Sequence, residues 1–80
     1  MQTDTQRTSG SFQSPVGDQL YNLMQALVSK CEAIEAYSKY EQSSQGEGRS
    51  LFQSLGQEEV RHAEQLLEAV RTQLTSSGQR

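Results

Sequence analysis

From Leu20 onward, apolar residues recur at steps of three and four: Leu20, Leu23, Met24, Leu27, Cys31 and Ile34. That spacing places them on one stripe of an α-helix. The stripe weakens through Tyr37, Ser38 and Glu41, and the run Ser43-Ser44-Gln45-Gly46-Glu47-Gly48 breaks it. A second stripe then follows Leu51, Phe52, Leu55, Glu59, Ala63, Leu66, Leu67, Val70 and Leu74, with Ser76-Ser77-Gly78 as its expected end. The start signals agree with this reading. Ser14-Pro15 has the form of a cap followed by a first-turn proline, and Asp18 suits a helix N-terminus. Ser50-Leu51-Phe52-Gln53 has the form of a capping box. The pattern therefore predicts one helix over about 15–43 and another over about 49–75, flanked by a disordered polar tail at 1–14 and a short tail at 77–80.

A connection this short makes the two helices antiparallel. Each would be roughly 39 Å long at 1.5 Å per residue. Two such helices alone leave half of each apolar stripe wet, and domains of this size rarely supply enough core. Two hairpins pairing into a four-helix bundle remove that problem. The expected fold is thus all-α: an antiparallel two-helix hairpin that dimerises, or forms a higher assembly built from dimers. No internal repeat is visible, so the duplication takes place between chains. Gly56 interrupts the second helix at a cost of about 1 kcal/mol relative to alanine, and is placed where a close helix contact would use it.

Composition narrows the class. Leu, Ile, Val and Phe total 15 of the 80 residues, just under a fifth, but the net charge is only −3, so the chain is poor in core residues without being a charged coil. Mild acidity argues against nucleic acid or an anionic membrane as the main partner. No apolar run approaches the ~18 residues of a membrane span. The N-terminus lacks a basic segment followed by an apolar one, so no signal peptide is expected. The single Cys31 excludes an internal disulfide and fits a reducing cytoplasm.

Candidate chemistry lies on the second helix. Glu59 and His62 stand three apart in Gln57-Glu58-Glu59-Val60-Arg61-His62-Ala63-Glu64, with Glu59 in the middle of the apolar face and His62 at its edge. A carboxylate on a core stripe is costly unless something satisfies it. One answer is a divalent metal, for which oxygen and nitrogen ligands suit iron, manganese or zinc. A site shared between chains would then bring together two carboxylates and two imidazoles. Counting back from the turn, residues 30–33 are level with 59–62. These are Lys30, Cys31, Glu32 and Ala33. Glu32 is directed toward solvent and Glu35 reaches inward from the edge of its helix, so both are weaker candidate ligands. Cys31 on an apolar stripe reads first as core. Lys30 offers a different answer, a charge pair with Glu59 and no metal at all. Tyr37 is placed to support Glu59 by a hydrogen bond, or simply to pack with its hydroxyl wet.

Two segments carry a family resemblance. Ala33-Ile34-Glu35-Ala36-Tyr37 is similar to the part of a first helix that ends in an aromatic near a metal site. Leu51 to Glu64 is similar to a second-helix segment carrying Glu-x-x-His ligands. Over about residues 18–74 the chain resembles the ferritin-like superfamily, with rubrerythrin-type proteins and half-length encapsulated ferritins nearest in form. The resemblance implies a four-helix unit made by two chains, iron held by Glu59 and His62, and a ferroxidase or peroxidase-like activity. The family's first-helix glutamate stands seven residues before the aromatic, and here that position is Lys30. A register counted from Tyr40 gives Ala33 instead. Three expectations follow: a ferritin-like, iron-binding dimer; a metal-free relative of that bundle serving as a structural or interaction module; and an unrelated coiled-coil adaptor.

Overall fold

The computed structural model describes residues 11–78, and these form two helices joined by a short turn. Helix α1 is Asp18–Gln42 and helix α2 is Gly46–Gly78. There is no strand among the described residues. The helices pack antiparallel along an elongated body with extents of 53 × 28 × 19 Å. No described helix is long and apolar enough to cross a membrane.

The helix ends differ from the sequence expectation for local reasons. α1 starts at Asp18, with Gly17 as its cap, rather than at Pro15. The Ser14 hydroxyl is engaged in its own turn: it accepts from the Val16 N–H at 3.0 Å and donates to the Val16 carbonyl at 3.1 Å. The first helical hydrogen bond runs from the Tyr21 N–H to the Gly17 carbonyl at 3.0 Å. Asp18 sits in the first turn and Lys39 in the last, each with the charge that suits the helix dipole there. Of the expected disordered tail, residues 1–10 lie outside the described residues, and residues 11–14 are not helical.

The turn consists of residues 43–45. Ser43 and Ser44 close the end of α1 with both backbone and side chain. The Ser43 hydroxyl donates to the Lys39 carbonyl at 3.0 Å and the Ser44 hydroxyl to the Tyr40 carbonyl at 2.7 Å. Their amides reach the carbonyls of Lys39, Tyr40 and Glu41. Four-residue fraying at a helix end is prevented when such carbonyls find donors. Gly46 then enters α2 with φ of 60°, a left-handed conformation that glycine adopts without steric cost. Because that reversal lies at Gly46, Ser50 is already inside α2 and caps nothing, so the expected capping box is not formed. At the other end α2 continues through Ser76 and Ser77 to Gly78, where the sequence predicted a stop and a tail. Residues 79 and 80 lie outside the described residues.

The core is thin. Among the described residues only Ala63, at 9% exposure, and Val70, at 7%, are buried, and no large side chain is fully covered. Leu23, Leu27, Ile34, Phe52, Leu55 and Leu66 line the contact and remain half-buried. Cys31, Leu51, Leu67 and Leu74 were expected on the stripes but are exposed. One partner helix covers a strip of roughly 100° on its neighbour, and these four fall outside it. Aromatic packing tightens the turn end, where Tyr37, Tyr40 and Phe52 meet with ring centroids 5.4–6.0 Å apart.

Gly56 faces the base of the Tyr37 side chain, and a methyl group added there would meet Tyr37 Cβ at 3.5 Å, an ordinary contact. Gly56→Ala therefore gains helix propensity without a clash. The expected outcome is a stabilisation of up to about 1 kcal/mol, read as a higher thermal midpoint by circular dichroism. Gly46→Ala should act in the opposite direction, by about 1–2 kcal/mol, because its φ is left-handed.

Candidate functional site

The centre of the hairpin holds one charge pair. Lys30, midway along α1, and Glu59, on α2, meet across the helix contact with Nζ 3.0 Å from Oε1. The Glu59 side chain is 18% exposed and that of Lys30 is 36% exposed, so the carboxylate is the more enclosed partner. The separation is that of an ion pair, yet Oε1 is shut off from solvent and has no aligned hydrogen bond. The interaction is thus mainly charge on charge. Glu59 reaches this place because it lies on the same stripe as Ala63, Leu66 and Val70, so the packing that covers those residues carries its carboxylate toward α1.

The other residues singled out by sequence are not gathered around it. His62, three residues on, is exposed. Glu32 and Glu35 are both exposed on α1. Among the described residues, no three of His, Cys, Asp and Glu come together in a way that would hold a metal ion. The described donors of a single hairpin therefore do not gather into a metal centre. At the level of Glu59 the group supplied by α1 is the ammonium of Lys30, which repels a cation where a ligand would be needed.

Of the two roles open to Tyr37, the contacts are those of packing. Its ring stacks on Phe52 at 6.0 Å with an interplanar angle of 29°, and meets Tyr40 edge-on at 5.9 Å. It serves the aromatic cluster rather than Glu59. A second polar cluster, which the sequence reading left without a partner, sits nearer the turn. Glu41 accepts a hydrogen bond from Gln53 Nε2 at 2.8 Å and pairs with Arg49 at 3.5 Å. The clue was present in Glu41 continuing the apolar stripe of α1. Its partners were hidden because Gln53 had been assigned to a cap. These contacts join the helix ends across the turn and line an open groove with Ile34, Ser38 and Gln57.

Comparison with known protein families, with characterised proteins and with solved structures finds no match for this chain.

Lys30→Met leaves the enclosed Glu59 oxygen with neither a counter-charge nor a hydrogen bond. The pair is partly open to water, so the expected cost is about 1–2 kcal/mol rather than that of a fully buried pair. Chemical denaturation of Lys30→Met, Glu59→Gln and the double variant reads the coupling directly. In the double variant much of the loss should return. Strict additivity of the two single changes would show that the side chains do not interact.

Proposed function

We propose that this chain is a helical interaction module: a hairpin that assembles with a second copy into a ferritin-like four-helix bundle and works without a metal. The observation that carries this reading is the Lys30 ammonium 3.0 Å from Glu59. In a metal-loaded bundle the charge of such a glutamate is balanced by a cation from solution. Here the chain brings its own cation, covalently fixed on the neighbouring helix. The bundle keeps its shape and its polar centre, and the role left to it is to hold chains together. The exposed apolar residues, among them Val28 and Leu67, supply the reason to associate.

A second reading rests on a specific observation. Glu59 Oε1 lacks an aligned hydrogen bond, and His62 follows one turn later at the spacing of a Glu-x-x-His ligand pair. Two copies facing each other through His62 would bring two such pairs together and could hold iron or another divalent ion. Lys30 would first have to withdraw.

The two readings separate on metal content. Purified chain is incubated with Fe(II), freed of loose metal, and assayed for bound metal beside its mass by light scattering. The interaction module gives an assembled species with no stoichiometric iron, and its thermal midpoint is insensitive to chelator. Stoichiometric iron that disappears in both Glu59→Ala and His62→Ala would overturn the proposal in favour of the metal-loaded bundle.

A further inference from the structure

The hairpin has two flanks, and they are not alike. On α2, Val60, Leu67 and Leu74 follow one another at seven-residue steps and are all exposed, Leu74 to 53%. On α1, Tyr21 and Val28 form one such row and Met24 and Cys31 another, with Val28 exposed to 52%. Seven-residue rows drift only about 20° per step around a helix, so each row stays on one side along its whole length. Repeats of this period are what a left-handed helical bundle uses to seat a facing helix.

The Met24–Cys31 row of α1 and the row of α2 share a flank, whereas Val28, two residues before the inward-facing Lys30, lies about 160° from that residue on the back of α1. Extending the α1 row by one step from Cys31 reaches Ser38, and stepping back from Val60 reaches Gln53. Ser38 and Gln53 line the same groove near the turn. The turn half of this flank is therefore polar and the other half is apolar. His62 is two residues beyond Val60, which turns it about 160° away around the helix. It belongs to the opposite flank.

From this we infer that the second copy docks on the flank carrying Met24, Cys31, Val60, Leu67 and Leu74, leaving His62 on the outside of the assembly. The inference rests on the self-assembly proposed above and adds which face performs it. The apolar half of the flank extends about 20 Å along the helices and about 20 Å across the pair. Covered on two copies, it removes on the order of 1,000 Å² of surface, the lower bound for a specific interface. The partner is a second copy because the face consists of parallel rows from two helices, which a matching hairpin fills and a single helix does not. Glu64 and Arg71, one of each sign, stand beside the α2 row, and Glu35 lies one step beyond Val28 toward the turn, so the charges around the face do not favour a partner of a single sign.

Cys31 makes the flank measurable in the native chain, since its thiol is exposed in the hairpin. The full chain is held at concentrations below and above its association midpoint, and its mass is followed by sedimentation while Cys31 is alkylated with a maleimide. The docking flank predicts alkylation at least about tenfold slower where the dimer dominates. It also predicts that Leu67→Glu weakens association by at least about 30-fold, while His62→Glu leaves it unchanged. A dimer whose Cys31 reacts as fast as in the monomer, or which His62→Glu dissociates, overturns the flank assignment while leaving self-assembly intact. A chain that is monomeric at every concentration overturns both.

Discussion

Two antiparallel helices cannot bury an apolar stripe that is wider than their mutual contact. This constraint governs the molecule. Ala63 and Val70 are its only buried core residues among those described, and the larger aliphatic side chains on either side of them stay partly wet. Small residues at the centre of the contact bring the helices close. The same closeness leaves the wide, bulky residues on the flanks. The exposed flanks of the hairpin are the ground on which association with a second chain is proposed.

The polar centre obeys a related rule. An acidic side chain on a packed stripe must meet a positive charge, a hydrogen-bond donor or a metal. In this chain α1 provides the first of these at Lys30. That choice has a chemical consequence, because a fixed ammonium neutralises the carboxylate while competing with any metal for it. The pair also sets register, since a shift of α1 by one turn would move Lys30 about 5 Å along the axis and strand Glu59. The Glu41 cluster with Gln53 and Arg49 does the same near the turn. Polar contacts at two heights thus fix how the helices slide, while apolar packing holds them together.

Much of this was legible in the chain. The three-and-four spacing from Leu20 to Ile34 gave α1, and counting back from the turn placed Lys30 level with Glu59, as the structure has it. The helix starts were harder to read. Ser14 and Ser50 both carry capping patterns, but a pattern does not reveal that Ser14 turns onto Val16 or that the left-handed Gly46 has already begun α2. Exposure was harder still. Leu67 and Leu74 look like core on a helical wheel, because a wheel shows which side is apolar and not how much of that side one neighbour can cover. Which of its two roles Tyr37 takes depended on side-chain direction, and its stacking on Phe52 is visible only in the folded hairpin.

If the hairpin is completed by association, folding and assembly are one equilibrium, and stability must depend on chain concentration. Thermal unfolding followed by circular dichroism over a hundredfold range of concentration, about the span needed to see mass action clearly, tests this most directly. The account predicts a midpoint that rises steadily with concentration. A midpoint independent of concentration would show that the hairpin is stable by itself, and would contradict the claim that its exposed stripe is waiting for a second chain.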